Sequence, residues 1–245
     1  MNKYYYDLHI HSCLSPCADD DNTPNNIAGM ATLCGLNIVA LTDHNSTKNC
    51  PAFFTACKRY GIIPIAGMEL TTSEDIHIIC LFEDIADAIE FDKWLDGYRI
   101  PIKNRVEVYG QQMILDGEDN LLEVVDNLLS NATAVSVDDV PEAVSRYNGI
   151  CYPAHIDRQA NGIIATLGVL PAIKGMAPCV EFHNSENISE YKEKYGLDGK
   201  KIIVSSDAHY LTDMRDNNSY FLIDDEPYSS ALVRKKVFEY LRGSL

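Results

Sequence analysis

The chain has 245 residues, 46% of them hydrophobic and 23% charged, which suits one globular α/β domain and excludes a disordered segment. Its formal charge of −16 argues against a surface that grips a long phosphate backbone by counterion release, and no apolar run approaches the ~20 residues that cross a bilayer. Eight cysteines, mostly in apolar segments and without a C-x-x-C pair, read as free thiols of a reducing, cytoplasmic compartment rather than a disulfide framework. The N-terminus enters structure almost at once and carries no secretory signal pattern.

Residues 4–11 alternate like a strand. Thr23 and Pro24 open a helix to about Cys34, as N-cap and first helical position. Residues 37–44 form an apolar run with a polar end, the pattern of a buried parallel strand whose end carries function. A helix over 50–60 closed by Gly61, strands over 62–70 and 77–82, and a helix over 87–95 follow. The rhythm then breaks from Gly97 to about Ala134, with a hairpin turning at Asp116-Gly117 and an amphipathic segment at 121–129. Residues of about 97–148 are therefore expected as an insertion or side cap on one domain spanning 1–245. A helix over 140–147, strands over 149–156, 179–184 and 201–209, a segment at 221–225 that is only a candidate for a late strand, and a closing helix over 229–242 complete the chain. Seven strands mostly linked by helices fit a closed parallel barrel better than an open sheet, and in such barrels chemistry gathers at the strand C-termini.

Six of the seven histidines sit with acidic residues in segments that read as strand ends: His9, His11, His44, His77, His155 and His209, joined by Glu69 and Asp207. So many imidazole and carboxylate donors predict more than one metal, and hence phosphate-ester hydrolysis. His9 and His11, two apart on a strand, share a face and either pinch one cation or hydrogen-bond on a polar rim. Glu69 ends an apolar strand, where an unpaired carboxylate is costly and needs a cation or donors. Asp207 and His209 share a face, whereas Asp43, adjacent to His44, points elsewhere and is expected to orient an imidazole or a water. Arg158 offers a planar donor fork to a phosphoryl oxygen, or else makes a surface salt bridge with Asp157 or another acid. Asp19-Asp20-Asp21 is either a solvated loop or the source of a carboxylate ligand, and Cys13 and Cys17 in the same loop are placed to contact metal but read better as packing residues. His183 reads as a structural histidine, and His77 alone lies at a strand start.

The segments D-L-H-I-H-S, T-D-H, G-M-E, P-A-H-x-x-R and S-D-A-H, in that order, resemble the polymerase and histidinol phosphatase (PHP) family of metal-dependent phosphoesterases, over residues 5–83 and 149–210. The resemblance implies an α/β fold, a distorted seven-stranded (β/α)7 barrel with an inserted segment, holding two to three divalent cations. By motif, His9, His11, Glu69 and Asp207 hold the first metal, and Glu69 bridges to a second held with His77 and His155. His44, His209 and a residue of the loop after the first strand hold the third. Small relatives place S-D-G after H-x-H, with T-P four residues beyond the aspartate. Here the loop is longer, S-P-C-A-D-D-D-N-T-P, and counting back four from Thr23 gives Asp19, with Asp20 as the alternative.

The implied mechanism is in-line attack by a metal-bridging hydroxide, with cations ~3.5–4 Å apart stabilising the growing charge and no protein nucleophile. A histidine-rich site suits Zn²⁺, Mn²⁺ or Fe²⁺ over Mg²⁺. The expected activity is hydrolysis of a small phosphomonoester (a nucleotide, sugar phosphate or amino-alcohol phosphate), with neither long nucleic acid nor membrane as partner. The alternatives are a nuclease or phosphodiesterase on oligonucleotides, a metal-dependent amidohydrolase, which typically bridges its metals with a carbamylated lysine where this chain offers Glu69, and a non-catalytic metal-stabilised module.

Overall fold

A nine-residue strand, β1 (Asn2–Ile10), begins a curled mixed sheet in the computed structural model, which describes residues 1–244. Thr23 caps α1 (Pro24–Leu33), its hydroxyl accepting from the Asn26 amide, with Pro24 in the first turn. After β2 (Ile38–Leu41), α2 (Cys50–Tyr60) stops at Gly61, whose φ of 70° satisfies the helix end in a left-handed conformation. All nine residues of β3 (Ile63–Thr71) are buried. The first three strands are parallel.

β4 (His77–Phe82) then reverses direction, pairing antiparallel to β3 with Thr71 opposite His77. The connection closes tightly, the Thr72 amide donating to the Ile76 carbonyl at 2.9 Å. A link that short cannot hold the crossover that a parallel return needs. α3 (Ile85–Leu95), the single turn α4 (Val106–Tyr109), the hairpin of β5 (Met113–Leu115) and β6 (Leu121–Val124), and α5 (Val140–Ser145) lead to β7 (Ile150–Pro153), which pairs antiparallel with β4. The hairpin turns over residues 116–120, as expected, but the amphipathic stretch at 121–129 is an exposed strand running into a loop. The remaining elements are α6 (Ile163–Leu167), β8 (Cys179–Phe182), α7 (Ile188–Tyr195), β9 (Lys201–Val204), β10 (Tyr220–Ile223) and α8 (Ser230–Leu241).

The fold is α/β, but the sheet is not the closed parallel barrel that the strand count suggests. Six strands run in the order β10-β1-β2-β3-β4-β7, with β10 antiparallel to β1, and β8 and β9 form a separate parallel pair. The tight β3–β4 connection is the physical reason for the mixed pattern. The pair is nonetheless stitched to both sides of the curl. The Ile156 amide donates to the Glu181 carbonyl at 2.8 Å, and the His11 amide to the Ala208 carbonyl at 3.0 Å.

Alternation along the strands divides the apolar residues between two cores. One face packs Val39, Leu41, Met68, Leu70 and Phe82 against α1, α2 and α3. The other packs Leu8, Ile38, Ile65, Leu81 and Tyr152 with Val233, Val237 and Phe238 of α8. Because α8 contacts residues at strand starts such as Ile38 and Ile63, the rim of strand ends is left for polar side chains. Gly67, in the middle of β3, has no room for a side chain: a β-carbon there would lie 2.7 Å from both the Cys80 carbonyl oxygen and Leu81 Cδ2. Gly67→Ala is expected to lower stability by ~1–3 kcal/mol, read as a lower urea midpoint at unchanged slope; a midpoint equal to wild type would show that the β3–β4 contact is looser than described.

Candidate metal centre

Glu69 comes from the buried end of β3, and five imidazoles converge on its carboxylate. Oε1 lies 2.8 Å from His77 Nδ1, 3.0 Å from His155 Nε2 and 3.3 Å from His9 Nε2; Oε2 lies 3.0 Å from His44 Nδ1 and 3.4 Å from His11 Nε2. His9 and His11 leave β1 beside a register shift between Asp7 and Ile10, a bulge of the kind that re-aims side chains next to sites. His44 follows β2 and bridges to Glu69 through the backbone. His77 reaches the same rim only because β4 runs backwards. Asp207 enters after β9, with Oδ1 3.2 Å from His9 Nε2, 3.3 Å from His11 Nε2 and 3.6 Å from His209 Nδ1.

Three overlapping groups offer ligand atoms within 4.8 Å of one another: His9, His11, Glu69 and Asp207; His44, Glu69 and His77; and His11, His44 and His209. The residues fit metal ions better than they fit each other. His9 Nε2 and His11 Nε2 face each other at 3.0 Å. Glu69 Oε2, Asp207 Oδ1 and His44 Nδ1 are buried close to neighbours yet lack an aligned hydrogen bond. The 3.0–3.4 Å separations among the first group match the ~3.3 Å edge of a tetrahedron with ~2.0–2.1 Å bonds to zinc. His155 stands between the groups, 3.0 Å from Glu69 and 3.3 Å from His77.

Surrounding residues orient these donors. Asp43 accepts from the Ser12 amide (2.7 Å), the Ser12 hydroxyl (2.6 Å) and the Ser15 hydroxyl (2.7 Å), and Ser15 Oγ in turn lies 2.9 Å from His11 Nδ1. Asp43 thus positions an imidazole through a serine. Glu181, which the sequence analysis passed over, takes the matching place on the other side: its Oε1 lies 2.8 Å from His9 Nδ1 and accepts from the His155 amide at 3.1 Å. Its signal was present, since it is a carboxylate inside the apolar strand segment C-V-E-F. Two rim residues, His155 with φ 22° and Asp207 with φ 54°, hold left-handed backbone conformations of the strained kind found at sites.

Burial and charge set the protonation of the metal-free cluster. Burial alone drives His9 and His11 toward neutrality, but nearby carboxylates reverse this. Glu181, Asp207 and Glu69 hold His9 well above its usual 6.5, and hydrogen bonding to Asp207 and Glu69 holds His11 at about 8. Burial and His11 oppose protonation of His44, yet Glu69 and Cys17 leave it at about 9. Burial, then the charge of His11, pushes His209 down to about 3. Glu69 and Asp207 stay well below the ordinary carboxylate range: burial opposes this, and the imidazoles outweigh it.

Asp19 is not among the three groups of donors; its carboxylate accepts from the Asp21 amide at 2.9 Å, and its own amide donates to the His209 carbonyl at 2.9 Å. Cys17, read as a packing residue, is exposed and lines the cavity of about 630 Å³ above the centre, whereas Cys13 is buried as expected. Arg158 also lines this cavity, and its guanidinium contacts Asp207 Oδ2 rather than Asp157. Asp157 instead accepts from the His183 amide (2.8 Å) and the Asn184 amide (2.9 Å). The His183 carbonyl accepts from Arg215 at 2.5 Å, and the Arg215 guanidinium faces its ring.

A rim of clustered imidazoles and carboxylates on a curled α/β sheet is a place that could hold metal ions. The chain belongs to the PHP domain family, whose family model matches residues 7–196. It is 35% identical over 79 residues to a 5'-3' exoribonuclease of Haemophilus influenzae, a match covering 31% of this chain and 28% of that protein. The matched segments make up 7%, 28% and 58% of the three curated relatives, so the chain spans less than two thirds of each. Among solved structures, the lesion-specific endonuclease EndoQ of Pyrococcus furiosus aligns with a TM-score of 0.62 at 15% identity, over 99% of this chain and 56% of that one. A protein of Bifidobacterium adolescentis assigned as a metal-dependent phosphoesterase aligns with a TM-score of 0.55 at 17% identity, over 94% of this chain and 96% of that one. At such identities these structures speak for the fold alone.

Purified without chelator, the protein is expected to carry at least ~2 transition-metal ions per chain by elemental analysis. Glu69→Gln should lower occupancy of two sites, and His183→Ala should leave metal content near wild type; the reverse pattern would contradict this arrangement. The pH dependence of the metal-free form supplies a second check. His11 and His44, raised to about 8 and about 9, contribute stability that is complete below 6.5 and is lost as pH rises through those values. His77 and His209, held down, act oppositely and only below 6.5. The thermal midpoint of chelator-treated protein should therefore fall between pH 6.5 and 9, and a midpoint that rises over this window would refute the assignment.

Proposed function

We propose that the protein hydrolyses a small phosphomonoester, such as a nucleotide, a sugar phosphate or an amino-alcohol phosphate. The carrying observation is the set of imidazoles that share the Glu69 carboxylate at the floor of one cavity. In this reading His9, His11, Glu69 and Asp207 hold a first cation, and Glu69, His44, His77 and His155 a second. Zinc, manganese or iron suits these donors. When bound, two or three such cations supply an activated water and neutralise the charge that grows on phosphorus oxygens.

The protein's own residues supply the rest. Arg158, at the cavity lip, presents its guanidinium to the non-bridging oxygens of the ester, and Asp207 holds it in place. Arg215, fixed by the His183 and Ser205 carbonyls, adds positive charge to the same wall. Asp43 and Glu181 keep the His11 and His9 rings turned inward through Ser15 and directly. Residues of about 97–148 act as a cap beside the rim, within one domain. Asn45 anchors that cap, its amide donating to the Leu129 and Asn131 carbonyls at 2.7 and 2.9 Å.

The net charge of −16 supports a compact ligand over a polymer, because a long strand would set many phosphates against an acidic surface. A nuclease is the second reading, favoured by the exoribonuclease relative. An amidohydrolase ranks lower: Glu69 stands at the bridging position, and among the described residues no lysine lines the cavity. The eight free cysteines support a cytoplasmic setting, and no helix among the described residues is long and apolar enough to cross a membrane.

With Mn²⁺ and at matched salt, kcat/KM for a nucleoside monophosphate should exceed that for a single-stranded oligonucleotide. Arg158→Ala should raise KM for the monoester, and Glu69→Gln should abolish turnover. Clear preference for the oligonucleotide would replace the small-ester reading with the nuclease one; turnover that survives Glu69→Gln would remove both.

A further inference from the structure

The rings of His9 and His11 are turned inward by Glu181 and Ser15. The grip on His44 falls on the main chain, at its own amide, which donates to the Ser15 hydroxyl at 3.1 Å, and at its neighbour Asn45. Every polar group of Asn45 is engaged. Its amide donates to the Glu69 carbonyl at 2.9 Å, and its side-chain oxygen accepts from the Thr71 amide at 2.8 Å. Its side-chain nitrogen donates to the Leu129 and Asn131 carbonyls, and its carbonyl accepts from Arg99 Nε at 2.9 Å and from Arg99 Nη2. Asn45 is buried with φ 48°, a left-handed conformation that asparagine holds through such local bonds.

Arg99 closes this grip from behind. While it holds Asn45, its guanidinium reaches Asp92 Oδ1 at 2.9 Å and the Asp92 carbonyl at 3.3 Å. The buried Asp92 accepts with its other oxygen from the Ser46 hydroxyl at 3.0 Å, the Thr47 hydroxyl at 3.2 Å and the Thr47 amide. One ion pair therefore clamps residues 45–47, directly after the His44 donor, against α3. The inserted segment is also tied to the end of β3. The Ala134 amide donates to the Tyr98 carbonyl at 2.8 Å, and the Thr133 amide and hydroxyl donate to the Thr71 carbonyl at 2.9 and 2.8 Å. Thr71 stands two residues beyond Glu69. A buried ion pair adds little stability over apolar packing, so this one is better explained by what it holds, a main-chain carbonyl next to a donor.

We propose that Arg99 is a positioning residue for the cation held by His44, Glu69 and His77. It acts through the Asn45 carbonyl, fixing the main chain from which His44 Nδ1 reaches within 3.0 Å of Glu69 Oε2. The inserted segment is then a brace built behind His44, and not only a cap beside the rim. A lysine at this position keeps the charge but not the planar fork that spans Asp92 and the Asn45 carbonyl together. The coupling is reciprocal: if the brace raises the affinity for the ion, the bound ion stabilises the brace by the same factor. This inference rests on reading the rim as a metal centre.

Zinc affinity, measured by competition with a chromophoric chelator, separates the two claims. Arg99→Gln should weaken one of the bound ions by about 10–100-fold and leave the other near wild type, with Arg99→Lys between the two. Asp225→Asn is the structural control. Asp225 sits at the far end of β1, where it accepts from the Tyr4 hydroxyl at 2.6 Å and the Asn2 side chain at 2.9 Å, so this change should lower the thermal midpoint and leave zinc binding at the wild-type level. Wild-type affinities in Arg99→Gln, equal weakening of both ions, or the same loss in Asp225→Asn would overturn the Arg99 assignment alone. Wild-type protein that binds no zinc would overturn the metal-centre reading with it. A measurement on wild type removes dependence on the variants' folding. By reciprocity, zinc should slow amide hydrogen exchange in peptides covering 97–104 and 129–135 at least ~10-fold more than in peptides of α8, and equal or unchanged exchange would overturn the proposal.

Discussion

A carboxylate that five imidazoles share, with both of its oxygens out of water, is the constraint on which the rest of the rim depends. Leaving Glu69 ionised at that depth without compensation would cost several kcal/mol, about the whole stability margin of many domains. The compensation must come from donors on other strands, so the positions of β1, β2, β4 and β7 relative to β3 are fixed by the same group that would do the chemistry. The fully buried β3, the tight turn into β4 and the left-handed backbone at His155 and Asp207 all serve that arrangement. In the metal-free cluster protons on His9, His11 and His44 substitute for cations, whereas burial outweighs Glu69 at His77 and keeps it below its usual value.

The exoribonuclease and the endonuclease that this chain resembles in part are both larger than the shared segment. The acidic charge and the two arginines that line the cavity lie outside the donor set. None follows from the family, and each can be varied without touching Glu69.

Much of this was legible in the sequence because two periodicities carry it. Alternation puts His9 and His11 on one face, and apolar runs that end in T-D-H, M-E and S-D-A-H mark strand ends at one rim. His77 looked out of place at a strand start, and only the reversed pairing of β4 explains it. Strand direction is set by the five residues between Thr71 and His77, a local length that outweighs the barrel-like strand count. Glu181 was overlooked because it stands next to no other donor in sequence; its partners, His9 and His155, come from β1 and the exit of β7. The loop after β1 was less legible, because spacing along a loop does not fix where a side chain aims; there the Asp19 carboxylate accepts from the Asp21 amide.

The central claim is that Glu69 bridges two cations. Anomalous diffraction from crystals grown with Zn²⁺, recorded on both sides of the zinc absorption edge, tests it most directly. The account predicts two peaks flanking the Glu69 carboxylate, each ~2.0–2.2 Å from one of its oxygens, one beside His9, His11 and Asp207 and the other beside His44 and His77. A fully occupied crystal with zinc only at surface sites, or with one ion that leaves Glu69 uncoordinated, would contradict it.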